Sequence, residues 1–396
     1  MTGADLVEAA VALRPQLLEE QAETEARGYY SDGLHRAFTR AGFYRMLVPS
    51  RYGGLEVDLP TYYRVVVEIS RGCPSSGWML ALGSAHALQA ASYWPARAQD
   101  ELFGVEQFIA CASFGFEDAT ATPVDGGYRV AGTWHFCSGV PYATHHMGLV
   151  PVSGSEEPLV VAIPREHFRM LENWGDLIGL KGSGSHSVTV DGAFVPSHHA
   201  ITLGEWLAIG VSSTPGYELH GNPLYGGSFM AVALGELNSV QVGNAQGAID
   251  EYVRLMRRPT RRVAGTPGED RAHDPNYQRV LGLALSYTDA ANSILVHCGE
   301  LFHEYAREAM EGGRTFDSER TFRIYGQLMT AHKLCWEAGD MVFRAGSTSG
   351  ARDGARLQRY WRDLCAFRTN GVHQHDFQAS AIAQAHLGFP VGFFDQ

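Results

Sequence analysis

The sequence lacks the features that mark several large classes of protein. Its six cysteines lie far apart and include no Cys-x-x-Cys pair, which argues against a disulfide framework and a zinc ribbon. The longest uncharged apolar stretch, Trp78 to Ala91, is too short to span a bilayer. Asp5 and Glu8 interrupt the N-terminus, so no targeting segment is indicated. We therefore expect a cytoplasmic protein with reduced thiols and no membrane partner.

Clustered positive charge is also scarce. Charged residues make up 19% of the chain, and the net charge is −12. The basic residues are dispersed apart from one short run, which consists of Arg257, Arg258, Arg261 and Arg262. A surface that follows nucleic-acid phosphates needs a broad basic patch. The composition therefore excludes nucleic acid and favours small-molecule partners.

Nucleotide-binding and metal-binding motifs are missing too. No Gly-x-x-x-x-Gly-Lys loop occurs, and no Gly-x-Gly-x-x-Gly lies between a strand and a helix, so neither a P-loop nor a Rossmann unit is indicated. Histidines occur close together at three places, but without cysteines or carboxylates at a recurrent ligand spacing: His145-His146, His198-His199 and His373-x-His375. The sequence predicts no metal site and no site for a nicotinamide cofactor.

What the chain does contain is a change of periodicity that divides it into three parts. Apolar residues recur at helical spacing in the first part, alternate in short runs in the second, and return to helical spacing in the third. Asp125-Gly126-Gly127 is typical of a tight hairpin turn between two of the strands. The pattern predicts an α+β protein with a helical domain at 1–106, a β domain at 107–215 and a helical bundle at 216–396.

Two segments of the predicted β domain carry a family resemblance. One ends in a Trp-x-Phe-x-Ser-Gly pattern, Trp134 to Gly139, and the other runs from Trp174 to Pro196. Together they resemble the central domain of acyl-CoA dehydrogenase-like flavoproteins, and the resemblance extends over nearly the whole chain. It implies the fold of that family, with an N-terminal helical domain, a central β-barrel-like domain and a C-terminal helical bundle. It also implies a homotetramer with the flavin between the β domain and the bundle.

The expected base of a dehydrogenase is missing. Members of the family commonly carry a glutamate shortly after an Arg-Asp pair, which is Arg362-Asp363 here, yet no acidic residue follows before Asp376. Asp250 and Glu251 on an earlier helix keep an acyl-CoA dehydrogenase or oxidase as an alternative. An N-hydroxylase of an amino compound and a catalytically silent binding subunit are further alternatives. The favoured interpretation is the oxygenase component of a two-component monooxygenase, which uses reduced FMN or FAD and O₂ to hydroxylate an aromatic molecule through a C4a-hydroperoxide.

Resemblance to the monooxygenase branch implies roles for particular residues. Ser138 is expected to contact the flavin N5 edge, with Phe136 beside it. His86 and Ser113 are expected on the substrate side. A late histidine near the oxygen is expected to be His373, with His375 and Asn370 as rivals. Histidine suits the task because its reference pKa of about 6.5 lets it accept a phenolic proton near neutral pH.

Other residues are candidates for holding the flavin phosphate. Arg258, Arg261 and Arg262 lie after a predicted bundle helix, and Ser347 and Thr348 occur in a small-residue segment that offers hydroxyl and backbone N–H donors. Because no nicotinamide motif is present, the reduced flavin is expected to come from a separate NAD(P)H flavin reductase.

Overall fold

The computed structural model describes residues 2–257, 271–369 and 375–391. Helices, strands and helices follow one another in the predicted order, which confirms the predicted fold class. The first group contains α1 (Gly3–Arg27), α2 (Asp32–Arg40), α3 (Leu59–Gly72), α4 (Pro74–Tyr93) and α5 (Ala96–Leu102).

Local sequence signals explain where α3 and α4 begin. The Asp58 carboxylate accepts a hydrogen bond from the Thr61 backbone N–H at 2.8 Å, as an N-cap residue does. Pro74 lies in the first turn of α4, where its missing N–H costs no helical hydrogen bond. α4 is apolar on nearly all sides, and only Trp78 and Leu82 along it are not fully buried. These two residues mark the face of α4 that borders a cavity.

The middle part of the chain forms eight strands in two sheets. The strands are β1 (Ala110–Ser113), β2 (Phe116–Val124), β3 (Gly127–Trp134), β4 (His145–Val150), β5 (Leu159–Pro164), β6 (Arg169–Leu171), β7 (Ser187–Pro196) and β8 (Ala200–Thr202). One sheet has the order β1-β4-β5-β8 and the other β2-β3-β7-β6. β1 pairs in parallel with β4, and the other neighbours are antiparallel.

Side chains from both sheets meet in one hydrophobic core that includes Trp134 and Val161. The predicted hairpin is confirmed, because Val124 pairs with Gly127 and Gly126 has a φ of +78°. These described strands do not pair into one ring, so the β region is a two-sheet structure and not a closed barrel. The domain limits at residues 106 and 215 stay a prediction.

The last part of the chain returns to helices. These are α6 (Leu203–Leu207), α7 (Pro215–His220), α8 (Phe229–Met256), α9 (Pro275–Met310), α10 (Ser318–Ala345), α11 (Ser347–Gly350), α12 (Arg356–Thr369) and α13 (His375–His386). α8 packs closely on α3, since a Cβ at Gly243 would lie 2.3 Å from the Val67 carbonyl oxygen. Among the helices in the described ranges, none is long and apolar enough to cross a membrane.

Candidate active site

A cavity of about 770 Å³ lies where α4, the β region, α8 and α12 meet. That volume falls within the range of roughly 300–1,000 Å³ typical of small-molecule sites. α4 contributes Trp78, Leu82 and His86, which share one face because they are spaced four residues apart. Many lining side chains are aromatic: Trp78, Phe114, Phe136, Trp174, Trp206, Phe229, Tyr325 and Phe367. The cavity therefore suits flat, largely apolar ring systems.

Four residues that the sequence nominated line this one cavity: His86, Ser113, Phe136 and Ser138. They come from α4, from the end of β1 and from the turn after β3, so the fold brings together residues up to 52 positions apart in the sequence. Their common location supports the predicted site. Their individual roles stay predictions.

Ser138 belongs to a chain of hydroxyl groups in the cavity wall. Its Oγ accepts a hydrogen bond from Trp78 Nε1 at 2.8 Å and lies 2.7 Å from Ser185 Oγ, which in turn lies 2.8 Å from Ser183 Oγ. Ser138 is buried. The indole N–H of Trp78 orients the Ser138 oxygen. This end of the cavity therefore presents an oriented hydroxyl group among aromatic side chains.

Phe136 lies at the same end of the cavity in an unusual conformation. Its φ is +60°, and its side chain is 65% exposed and meets Trp174 edge-on. Positive φ values are uncommon for bulky residues and occur where the surroundings impose them. A large aromatic ring left open beside Ser138 fits a flat cofactor that would cover it.

His86 is held in one tautomer. Its Nδ1 lies 2.6 Å from the Ala110 carbonyl oxygen, and a carbonyl only accepts, so Nδ1 carries the proton. Nε2 is then the nitrogen with a free lone pair. Burial lowers the pKa of His86 to about 4, although the hydrogen bond to Ala110 opposes this shift. The ring is therefore neutral at pH 7 and can accept a proton through Nε2.

The hydroxyl of Ser113 is already engaged in the local turn. Its oxygen accepts a hydrogen bond from the Gly115 backbone N–H at 3.1 Å, and its O–H donates one to the His135 carbonyl oxygen. These bonds join the end of β1 to the segment after β3. Contact with a substrate would require the hydroxyl to give up one of these partners.

Other nominated residues lie away from this cavity or outside the described residues. Ser347 and Thr348 are exposed in α11 and do not line the cavity. α11 packs near Leu255, and Leu237 at the cavity is 18 residues earlier on α8, which corresponds to about 27 Å of helix. Arg258, Arg261, Arg262, Asn370 and His373 lie outside the described residues. His375 begins α13 and is not among the lining residues.

The Arg-Asp pair has a structural role in the cavity wall. Asp363 Oδ1 accepts a hydrogen bond from the Leu180 backbone N–H at 2.6 Å, and Arg362 donates to the Ile178 carbonyl at 2.9 Å. Gly179 lies against this pair so closely that a Cβ would be 2.1 Å from the Arg362 carbonyl oxygen. Arg362 also pairs with Glu25 at 2.7 Å. The pair therefore holds the 177–180 wall of the cavity.

Asp250 and Glu251, the alternative bases of a dehydrogenase, do not line the cavity. Asp250 forms two hydrogen bonds with Arg71, at 2.6 and 2.8 Å. Glu251 pairs with Arg254 and Arg356 at 2.5 and 3.5 Å. Both acids border a separate cleft of about 240 Å³. Neither is placed to remove a proton from a ligand in the aromatic cavity of its own chain.

Glu236 is a cavity residue that the sequence reasoning missed. It is 2% exposed on α8, and its Oε2 has no hydrogen-bond partner among the described residues. Burial raises the pKa of its carboxyl group well above the usual range. A signal was available, since Glu236 is the only charged residue between Gly221 and Ile249.

The histidine doublet His198-His199 has an acidic partner from another part of the chain. Both Nε2 atoms lie within hydrogen-bonding distance of Glu101 Oε2, at 2.9 and 2.8 Å. The three possible ligand atoms lie within 4.8 Å of one another. Arg97 also pairs with this carboxylate, at 3.3 Å. Hydrogen bonds account for the arrangement and join α5 to the turn before β8.

Comparisons with known proteins agree with this architecture. The N-terminal domain model of acyl-CoA dehydrogenases matches residues 6–101, and the C-terminal domain model matches residues 237–375. The chain is 28% identical to "Flavin-dependent monooxygenase, oxygenase subunit HsaA" of Rhodococcus jostii (strain RHA1), over 96% of this chain and 97% of that protein. It is 25% identical to "FADH(2)-dependent resorcinol hydroxylase, oxygenase component" of Rhizobium sp. (strain MTP-10005), over 88% and 85%.

A solved structure shows the same fold. The crystal structure of 3-HSA hydroxylase from Rhodococcus sp. RHA1 superposes with a TM-score of 0.86 at 26% identity, covering 98% of both chains. The predicted family is thereby confirmed. The chain belongs to the acyl-CoA dehydrogenase-like superfamily, and its homologues are oxygenase components of flavin-dependent monooxygenases.

Proposed function

We propose that this chain is the oxygenase component of a two-component flavin monooxygenase that hydroxylates an aromatic small molecule. The observation that carries the proposal is the aromatic cavity with Ser138 at one point of its wall and the neutral His86 at another. Relatives that are named as flavin-dependent oxygenase subunits support it.

The residues of the cavity fit a flavin. The exposed ring of Phe136 and the hydroxyl of Ser138 offer a flat surface and a polar point to the isoalloxazine edge. Reduced flavin, when bound, supplies two electrons to O₂, so that one oxygen atom reaches the substrate and the other leaves as water. FMN and FAD are both compatible with the proposal.

His86 is assigned to the substrate. Its Nε2 accepts the proton of a phenolic hydroxyl, which makes the ring more electron-rich as it takes up oxygen. The bond from Nδ1 to the Ala110 carbonyl fixes the orientation of the imidazole ring and stabilises its protonated form. The apolar wall keeps water away from the reacting atoms.

A separate flavin reductase, a homotetramer and a cytoplasmic location complete the proposal. Six free cysteines fit a reducing compartment. Ser347 and Thr348 lie in α11, beside the end of α8 that is far from the cavity of their own chain, so a role in flavin binding requires a neighbouring subunit. The apolar start of α8 does not argue for an interface, because Phe229, Met230 and Leu234 are buried within the chain.

The test combines the purified chain with a flavin reductase, NADH, FMN or FAD and a panel of phenols. We expect oxygen uptake with a hydroxylated product only when both proteins are present. An acyl-CoA that bleaches the protein's oxidised flavin in the absence of the reductase would instead identify a dehydrogenase. Light scattering tests the tetramer, and a monomer at micromolar concentration would remove the shared site.

A further inference from the structure

Glu236 occupies a place in the cavity that the proposed mechanism does not use. It lies on α8 and is a lining residue of both the large cavity and a second cavity of about 10 Å³. The smaller cavity has room for about one water molecule. Gln89 of α4 borders it as well.

Two polar atoms near this point have no hydrogen-bond partner among the described residues. They are Glu236 Oε2 and Gln89 Nε2, and both are buried. Gln89 Oε1 accepts from Trp206 Nε1 at 3.1 Å, which directs the amide group. Buried polar groups are nearly always paired in folded proteins, so unpaired ones at a cavity point to a ligand or bound water.

The spacing of residues along α4 shows where Glu236 lies relative to Ser138, which marks the end of the cavity proposed to hold the flavin. Trp78, which contacts Ser138, precedes His86 by eight residues, or about 12 Å of helix. Gln89 lies three residues, about 4.5 Å, further along the same helix. Glu236 shares the small cavity with Gln89 and therefore borders the part of the site away from Ser138.

The surroundings of Glu236 indicate which ligand it suits. Burial raises the pKa of its carboxyl group well above the usual range, which favours the protonated form, and a protonated carboxyl group can donate a hydrogen bond. The described lining residues of the large cavity include no lysine or arginine. A carboxylate on the substrate would lose its hydration there without gaining a cation.

We propose that Glu236 forms a substrate-binding subsite that selects uncharged aromatic molecules carrying a hydrogen-bond-accepting oxygen, such as the carbonyl oxygen of an aryl ketone, and that disfavours aromatic carboxylates. The hydrogen bond runs from the Glu236 carboxyl to that oxygen, at the part of the ring system away from the flavin end. This inference rests on the proposed function for its substrate class, but it concerns binding and needs no turnover to be tested.

Three probes of similar size separate the alternatives: 1-acetonaphthone, 1-ethylnaphthalene and 1-naphthoate. Their affinities for the purified chain are measured by isothermal titration calorimetry at pH 7. We expect the ketone to bind about 2- to 10-fold more tightly than the hydrocarbon, as one net hydrogen bond provides. We expect the carboxylate to bind about tenfold more weakly than the ketone, or worse, because its desolvation is uncompensated.

Three variants show whether Glu236 causes the preference. Glu236→Leu removes the donor and should bring the ketone-to-hydrocarbon ratio to about one, whereas Glu236→Gln keeps an N–H donor of similar size and should retain the preference. Gln241→Leu is the matched control, because Gln241 is buried and unpaired on the same helix but does not line the cavity. It should leave the ratio unchanged.

The inference is overturned if Glu236→Leu keeps the wild-type ratio, if 1-naphthoate binds best, or if none of the probes binds to the wild type. Its failure is distinguishable from failure of the proposed function. If the chain shows the Glu236-dependent preference but yields no hydroxylated product with the reductase, the subsite proposal stands and the proposed hydroxylase function fails. If the chain hydroxylates phenols but Glu236→Leu leaves the ketone-to-hydrocarbon affinity ratio unchanged, only the subsite proposal fails.

Discussion

The two ends of α8 place carboxylates in opposite surroundings. Near its start, Glu236 is buried beside an aromatic cavity and Oε2 has no partner. Near its end, Asp250 and Glu251 border a separate cleft, and each of them pairs with at least one arginine. The helix is continuous, so propensity and composition do not explain the difference. The neighbouring helices decide which acid is buried without a partner at Oε2 and which acids pair with arginines.

This contrast distinguishes residues that act on a bound ligand from residues that stabilise the fold. In the cavity, His86 and Glu236 are both shifted by burial toward their neutral forms. In the cleft, the charged forms are matched by ion pairs. Substitutions at the cavity should therefore alter binding and turnover, and substitutions at the cleft should alter the free energy of unfolding.

The largest expected effect is the loss of His86. General-base removal typically costs about 10²- to 10⁴-fold in the step that it serves. We expect His86→Ala to lower the ratio of hydroxylated product to hydrogen peroxide within that range, while oxygen still reacts with the bound reduced flavin. His86→Asn should couple poorly too, since an amide cannot take the proton. His303→Asn is the control, because His303 lies outside the cavity. If the His86→Ala enzyme has the same ratio of hydroxylated product to hydrogen peroxide as the wild type, His86 is not the base, and His373 becomes the next candidate.

A stability comparison tests the two ends of α8 directly. Glu251→Gln leaves Arg254 and Arg356 without their carboxylate and should lower the free energy of unfolding by about 1–3 kcal/mol, a value reduced because both arginines are partly exposed. Glu236→Gln keeps the size of a side chain that has no arginine partner to lose, and it should change the free energy of unfolding by less than about 1 kcal/mol. Chemical denaturation of both variants measures the difference. Equal losses would mean that Glu236 also has a charged partner.

The smallest expected effect is on the pH profile. Because the folded pKa of His86 is lowered to about 4, the neutral base persists as pH falls and is lost only near that value. Between pH 8 and pH 5 the product-to-peroxide ratio should change by only about a tenth on account of His86. For an imidazole with the reference pKa of about 6.5, the neutral fraction would fall about thirtyfold over the same interval. A steep fall near pH 6.5 would show that His86 is not the base or is solvated in the complex.

The fold was largely predictable because the hydrophobic period changes twice along the chain, and each change coincides with a change of element type. The resemblance placed His86 and Ser138 in the same site, and both line the cavity. The bond from Ser113 to His135 was not predictable, since it depends on how the chain returns after β3.

Long-range packing explains what sequence reasoning missed. Glu236 was not singled out from the sequence, because the absence of a partner for its Oε2 depends on the packing of α4 beside α8. Glu101 lies 97 residues before His198, so the doublet showed no acidic neighbour in the sequence. Close pairing of groups far apart in the chain requires the folded backbone, which local periodicity does not define.

The most direct test of the central claim is the reoxidation of reduced flavin in the wild type and in Ser138→Ala. The claim is that the Ser138 end of the cavity holds the flavin edge while oxygen reacts, with Trp78 orienting the hydroxyl. Protein and chemically reduced FMN or FAD are mixed with O₂ in a stopped-flow instrument, and flavin absorbance is followed. We predict a delay before oxidised flavin appears with the wild type and a shorter delay with Ser138→Ala. A delay of equal length in both proteins would contradict the assignment of Ser138, and reoxidation without any delay in the wild type would contradict the oxygenase itself.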